Sequence, residues 1–501
     1  MSDRRTGGRS GARHAIGATN ALAGFCAGLR PSAIPAAVVE RTKDILLDHL
    51  GVALFGSTLP WSQSVRAVVM GEGARAQSTL YGWGSSSPRG AALANGAAAH
   101  AIEYDDTHDE AMQHPGCVVI PAALAIGEAL DRTGAEVLAA IVGGYEVECR
   151  IGATLGAELM RRGFHATAIC GVYGASAAVG MLLRQSSETM ASAFGLGASM
   201  SGGVMQFSED PERNMIKRLH SGLPAERGVL AALLAGEGFS GPRAAIEGRW
   251  GLARVFTGIT DLTRATRSLG GAFEIERITV KLYPCCKQFH SLIEAIEECR
   301  AQQPFTPEDI IAVEAFGTHA MIDTHMEFRP RSTMAAQYSL PYTTAAAIAL
   351  DPRDAASFAE PSIHRADVLR LADRVEAHVD EALEAHFPRK YPGGVRIRLR
   401  GGRELRATVL DALSSPERPI GRSDIERKFF SVTTGVLSPA QQSRLVEAVT
   451  SFDRLGNVRD LTASLRNVVA RRQRTPVPAR CDSRHTKGRR GPMAKQQRDA
   501  R

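Results

Sequence analysis

Val137-Leu-Ala-Ala-Ile-Val-Gly-Gly-Tyr-Glu-Val-Glu-Cys-Arg-Ile151 has helical spacing and is apolar around almost its whole circumference, and Val118 to Leu130 just before it reads the same way. A helix that is hydrophobic all round belongs inside a protein, packed against other helices. Outward from this pair the pattern repeats in Gly171 to Leu183 and in Val229 to Leu234. Towards the N-terminus, Val38-Val39, Thr42, Ile45-Leu46 and Leu50 recur at helical intervals behind Pro35, a helix-start signal. From about Ala15 to Ala265 the chain is a succession of such helices broken by glycine. No βαβ alternation appears in it, and neither a G-x-G-x-x-G after a strand nor a P-loop, which argues against nucleotide binding.

The character changes near Ile275. Arg277-Ile-Thr-Val-Lys-Leu-Tyr283 and Ile310-Ile-Ala-Val-Glu-Ala-Phe316 are β-branched and alternating, as half-buried strands are. A helical stretch follows from about Ala366 to His386. Val395-Arg-Ile-Arg-Leu399, Gly401-Gly402 and Leu405-Arg-Ala-Thr-Val409 then carry the signature of a hairpin with a glycine turn. Helical periodicity returns from about Ile425 through Leu465. The expectation is a mainly α protein: a large all-helical domain over 15–274 and 415–468, with a smaller α+β lid domain, 275–414, inserted before the C-terminal helices. Residues 1–14 read as a flexible leader and 469–501 as a basic disordered tail.

At 501 residues, 44% hydrophobic and 23% charged, the chain has the composition of an ordinary globular protein with room for a sizeable core. The pI of about 9.1 misleads. Residues 471–501 hold eleven Lys/Arg and two Asp, so a net charge of +7 overall leaves −2 for residues 1–470. The basic character belongs to the tail, whose cations are not interleaved with aromatic residues, so no nucleic-acid partner is expected. No apolar run reaches the ~18 residues of a membrane span, and no apolar segment follows the charged N-terminus as in a signal peptide. A cytoplasmic protein with no membrane partner is expected. The eight cysteines (Cys26, Cys117, Cys149, Cys170, Cys285, Cys286, Cys299 and Cys481) form no C-x-x-C pair and no zinc spacing, and read as reduced thiols.

Against this apolar background one polar cluster stands out: His100-Ala-Ile-Glu-Tyr-Asp-Asp-Thr-His108, continued by Asp109, Glu110 and His114. Paired carboxylates beside an imidazole suit a metal such as Mn or Zn, so Asp105, Asp106 and His108 form one candidate centre, that of a metal-dependent hydrolase or lyase. Acid–base chemistry is the other reading. Gly163-Phe-His165-Ala-Thr167 sets an imidazole before a small-residue helix, where a ligand can approach closely. Lys217-Arg218-Leu-His220 can cap a helix end or hold a carboxylate, the arginine by two prongs and the lysine as a point charge. Lys281-Leu-Tyr-Pro-Cys285-Cys286, His290, and Gln337-Tyr-Ser-Leu-Pro-Tyr342 are the polar segments of the α+β part.

In chain order these segments resemble the MmgE/PrpD family, which includes 2-methylcitrate dehydratase, cis-aconitate decarboxylase and iminodisuccinate epimerase. The matching pieces are Asn95-Gly96 with His100 to Thr107, His114-Pro-Gly116 with Pro121-Ala-Ala, Gly163 to Thr167, Lys217 to Gly222, Gly238-Phe-Ser-Gly-Pro242, Lys281 to Cys285, and Tyr338 to Tyr342. They span most of residues 15–468. The resemblance implies a helical domain and a lid, a homodimer, a pocket between the domains, and a cofactor-independent enzyme. It places active-site positions at Glu103, Thr107, His114, His165, Lys217 and Tyr342, with Lys281, Cys286 and His290 nearby. Two departures stand out. Glu103 occupies a position where the family often carries Asp, and the loop from Thr107 to His114 is one residue longer than in the cis-aconitate decarboxylases.

The expected function is that of a lyase that takes a proton from carbon beside a carboxylate of a small di- or tricarboxylic acid, most simply as a dehydratase of the 2-methylcitrate type. Decarboxylation or epimerisation passes through the same carbanion-like state. Negative charge then builds on the carboxylate and needs fixed cations. Lys217, with Arg218 or Lys281, would supply them. His165 or His114 would move the proton, and Tyr342 would protonate a departing hydroxyl. Glu103 or Asp106 would orient an imidazole, and Thr107 would position the substrate. Specificity would sit between Thr318 and Arg331 and around Gln206-Phe207. A non-catalytic carboxylate-binding homologue is the remaining alternative.

Overall fold

The computed structural model describes residues 17–210 and 215–466, and within them the protein is mainly α. The two apolar segments at the centre of the sequence become Gly116–Ala129 and Gly134–Arg161, the latter started by a capping box in which Thr133 and Glu136 exchange bonds. Ala166–Leu182 and Leu219–Gly236 pack beside them, and Pro88–Ala99 lies against Leu219–Gly236 and Gly116–Ala129. Glycine permits these crossings. A Cβ on Gly96 would lie 2.9 Å from the Gly222 Cα, and one on Gly222 only 2.3 Å from the Leu93 carbonyl. The helices Arg422–Thr433 and Pro439–Thr450 pack back onto Ala36–Ser57, joining one core that runs from Leu46 through Val119 and Ile141 to Phe429 and Phe452.

A second core is drawn entirely from residues 283–409 and includes Tyr283, Ile293, Val313, Tyr342 and Ile397. Its sheet has the spatial order Val375–Val379, Ile310–Gly317, Gly393–Leu399, Glu404–Val409. The first pair is parallel, with Val313 opposite Val375; the other two are antiparallel, with Val395 opposite Ala407. The helix His290–Gln302 covers it. The hairpin closes through Gly401 and Gly402, both at positive φ (84° and 81°).

Two expectations are corrected here. The strand read over 277–283 shortens to Ile278–Thr279, because Lys281 turns inward to Glu103 and Tyr283 joins the second core. The helix read over 366–386 divides into Ala366–Ala372, the strand Val375–Val379 and Glu381–Glu384, since Val375-Glu-Ala-His-Val379 alternates and finds an open sheet edge. The leader 1–14 and the tail 469–501 lie outside the described residues. No helix among the described residues is long and apolar enough to cross a membrane.

Candidate active site

The helix Pro88–Ala99 ends at His100, and the chain from there to Gly116 folds into the interior as an almost fully buried loop. Two ties fix it. Thr107 and His108 pair antiparallel with Thr279 and Ile278, and the Asp106 carboxylate accepts the Gly116 N–H (2.9 Å) and the Tyr145 hydroxyl (2.7 Å). Burial pushes the Asp106 carboxyl up to about 7, with Asp105 adding to the rise. Gln113 braces the far limb, its side-chain amide donating to the Glu148 backbone carbonyl at 2.7 Å while its backbone carbonyl accepts from the Thr107 hydroxyl at 3.2 Å.

Glu103 is the focus. Its backbone sits in the left-handed region (φ 55°), a conformation that costs a non-glycine residue about 1–3 kcal/mol and persists only where its surroundings enforce it. The surroundings are cationic. The carboxylate bonds Lys217, accepts from Arg218 at 2.8 Å and from the Tyr338 hydroxyl at 3.0 Å, and faces the Lys281 ammonium at 3.4 Å. Lys281 also donates to the Glu103 carbonyl (3.2 Å). Burial works to raise the Glu103 carboxyl, but the three cations overcome it and hold the group well below the usual carboxylate range. Their effects on the two lysines differ. Burial and the neighbouring cations lower Lys217 despite Glu103, whereas for Lys281 the attraction of Glu103 and Asp105 outweighs burial and raises it. Lys217 therefore holds its charge less securely. Gln337 ties the cage together: its oxygen accepts from Arg218 (3.1 Å) and its amide donates to the Ile102 (2.7 Å) and Pro284 (2.9 Å) carbonyls.

Beside this cage lie four imidazoles. His100 bonds Asp105 at 2.7 Å, and its ring centroid is 4.9 Å from His114 and 6.1 Å from His165. His165 in turn meets His220, Nδ1 to Nδ1, at 3.2 Å. Burial lowers all four, with the Lys217 ammonium contributing in each case; His114 falls to about 3 and His220 to about 4. They are neutral at pH 7. Against the cost of its own burial, Asp105 stays ionised below the ordinary carboxylate range because His100 and His114 face it. His114 Nδ1 lies 2.9 Å from the Asp106 carbonyl and 3.5 Å from the Asp105 carboxylate. With that proton donated to the carbonyl, Nε2 is the acceptor nitrogen.

His114, His165, Lys217, Cys286 and Tyr338 line a cavity of about 540 Å³ between the two cores, with His325 and Thr324 also on its wall. Of the residues singled out in the sequence, Glu103, Lys217, Arg218 and Lys281 thus converge on one ion cluster, and His114 and His165 stand next to it. Others go elsewhere. The Tyr342 hydroxyl donates to the Ser357 carbonyl (2.6 Å) inside the second core and does not line the cavity; Tyr338, four residues earlier, reaches Glu103 instead. The helix begun by Ser339 turns Tyr342 away. Asp106 supports the loop and orients His114 through its carbonyl, while its side chain is committed to Gly116 and Tyr145. Thr107 is tied to Gln113, and His290 is buried beside Tyr283 (5.1 Å between rings), away from the cavity lining. Tyr338, Gln337 and His100 carry no role of their own in the sequence reading, and Asp105 figures there only as a metal ligand, although all lie in the segments quoted. Nothing in the sequence marked Met112, Met160 and Met205 as cavity walls.

The candidate metal centre at Asp105, Asp106 and His108 does not form, because the three side chains face different partners: His100, the Gly116–Tyr145 pair, and Glu274 (3.0 Å from His108 Nε2). Among the described residues the metal-ligating atoms that do come within 4.8 Å of one another belong to His100, Asp105 and Cys117. His100 and Asp105 already bond each other there. The Cys117 thiol donates to the His114 carbonyl at 3.1 Å, and burial raises it well above the usual thiol range.

Residues 20–265 match the MmgE/PrpD N-terminal domain and residues 283–454 the MmgE/PrpD C-terminal domain. Among curated relatives, the chain is 27% identical over 469 residues to a cis-aconitate decarboxylase of Aspergillus terreus, covering 89% of this chain and 95% of the relative. It is 28% identical over 482 residues to a cis-aconitate decarboxylase-like protein of Aspergillus oryzae (89% and 96%), and 25% identical over 466 residues to the cis-aconitate decarboxylase of Homo sapiens (89% and 94%).

Proposed function

Because the chain belongs to the MmgE/PrpD family, we propose that it is a cofactor-independent lyase of small polycarboxylic acids and that its reaction is decarboxylation rather than dehydration. The observation that carries the choice is the place of Tyr342. Dehydration needs an acid for the departing hydroxyl, and the phenol expected in that role is spent on the Ser357 carbonyl, while Tyr338 donates to Glu103. Dehydration would have to draw both its base and its hydroxyl acid from His114 and His165, whereas loss of CO2 needs no base and asks only one of them for a proton. Decarboxylation needs cations for the charge left behind and a proton for carbon, which the cavity can supply. The names of the relatives point the same way.

In this reading a substrate carboxylate docks on Lys217. As the C–CO2 bond breaks, its electron pair passes through the adjacent double bond into a retained carboxylate, where Lys217 and the cage behind it stabilise the charge. The proton for carbon comes from His114 or His165. Both are neutral in the free protein, so the negative charge of the bound substrate must first raise one of them enough to take a proton from solvent. Asp105, close to His114 Nδ1, favours that imidazolium. The segment 275–414 acts as a lid, and the protein works in the cytoplasm as a homodimer.

The test is incubation with cis-aconitate, 2-methylcitrate and iminodisuccinate, with products followed by proton NMR and CO2 trapped. CO2 release from cis-aconitate supports the proposal. Water loss from 2-methylcitrate without CO2 from any substrate restores the dehydratase.

A further inference from the structure

The cavity has two kinds of lining: polar groups, among them Lys217, His114, His165, Tyr338, Gln288 and Thr324, and an apolar set made by Met112, Met160, Met205, Phe207 and Phe387. Among the described residues no carboxylate lines it. The only other lysine or arginine that lines it among the described residues, Arg161, is held by Glu158 through two bonds of 2.7 and 2.6 Å. An anionic group set among the methionines and phenylalanines would meet thioethers and rings in place of water, which is costly. At about 540 Å³ the space lies within the range of about 300–1,000 Å³ usual for small-molecule sites.

The apolar wall is also built into the site. The Met205 N–H donates to the Gly163 carbonyl at 2.8 Å, pinning the short helix Met205–Ser208 next to His165. Phe207, 3% exposed, packs edge-on against His165 (5.9 Å) and His220 (5.5 Å). One segment thus supplies both the packing of the imidazole pair and the start of the apolar wall. Methionines suit such a wall because their unbranched thioethers adapt to a flexible ligand.

We infer that the substrate is a di- or tricarboxylate bearing an unbranched alkyl chain of several carbons, its carboxylates at Lys217 and its chain between Met112, Met160, Met205, Phe207 and Phe387. The chemistry rests on the lyase reading above; the binding preference does not. Two measurements keep them apart. The first is calorimetric titration of the intact protein with unreactive 2-ethyl-, 2-butyl- and 2-hexylsuccinate. Each buried methylene should tighten binding about fourfold, and a terminal ammonium on the hexyl chain should cancel the gain. Met160→Gln and Met205→Gln, each checked for an unchanged circular dichroism spectrum and unfolding temperature, should cut the gain to less than about twofold per methylene. Affinity that is flat or falls with chain length overturns the inference. The second is CO2 release from cis-aconitate and from its alkyl-substituted analogues. Turnover of cis-aconitate with no chain-length dependence in either measurement sinks the inference and leaves the lyase. Affinity that climbs with chain length while no analogue releases CO2 supports the inference and sinks the decarboxylase.

Discussion

Replacing Glu103 by Gln keeps the shape of the side chain and removes the one negative charge among Lys217, Arg218 and Lys281. Removing one partner of a buried ion pair costs about 3–5 kcal/mol, because the remaining charge is left without compensation. Here the protein has an escape. Lys217 is already lowered by burial, with Glu103 as the main opposing influence, so without Glu103 it is expected to give up its proton. Deprotonating at pH 7 a lysine that ionises near ~10.4 in the unfolded chain costs about 4.6 kcal/mol, at ~1.36 kcal/mol per unit. Both routes give a loss of about 4 kcal/mol at pH 7, and the second adds a pH signature. Between pH 7 and 9 the unfolded variant binds a proton at Lys217 that the folded variant lacks, so its stability should rise by about 1.4 kcal/mol per pH unit. Urea denaturation of the variant and the parent at pH 7, 8 and 9 reads both quantities. A variant within about 0.5 kcal/mol of the parent at pH 7, the range of an ordinary surface change, would refute the claim that Glu103 is the counter-charge of the cage.

Four other outcomes are expected. Binding of an unreactive dicarboxylate at pH 7 should take up protons, since the ligand's charge raises imidazoles that are neutral when free; calorimetry in buffers of different ionisation enthalpy measures the uptake, and release or no uptake contradicts it. Asp106→Asn should gain on the parent as pH rises. From about 4 to about 7 folded Asp106 keeps a proton that the unfolded chain has lost, so the parent's stability falls across that window while the asparagine has nothing to titrate; a relative gain of up to about 4 kcal/mol between pH 4 and 7 is expected from unfolding curves. Tyr342→Phe should cost about 1 kcal/mol of stability, the worth of its bond to Ser357, and change kcat/KM less than about twofold. Tyr338→Phe, which loosens the cage at the cavity, should lower kcat/KM at least about tenfold.

The helical half was legible because its signal is local and dense. A segment such as 137–151, apolar on every face, has few places to go except between other helices. The hairpin 393–409 was equally plain, since alternation and a glycine pair state both strands and the turn. Val375–Val379 was hidden because five alternating residues beside a helical pattern become a strand only when Ile310–Gly317 offers them an edge. In the site, the residue types were visible but their facing was not. Tyr338 and Tyr342 are four residues apart in one quoted motif, and only the helix start at Ser339 decides which phenol reaches Glu103. Asp105 and Asp106 are adjacent and look alike, yet one faces His100 and the other Tyr145, and that divergence removed the metal centre.

The central claim, a carbanion-like intermediate stabilised at Lys217 and protonated by a cavity imidazole, is tested most directly in D2O with cis-aconitate as substrate. Proton and deuterium NMR should show CO2 loss with one solvent deuterium placed on the product carbon, and Lys217→Ala and His165→Ala, folded by circular dichroism, should show neither. Full turnover and full deuterium incorporation in both variants would contradict the account.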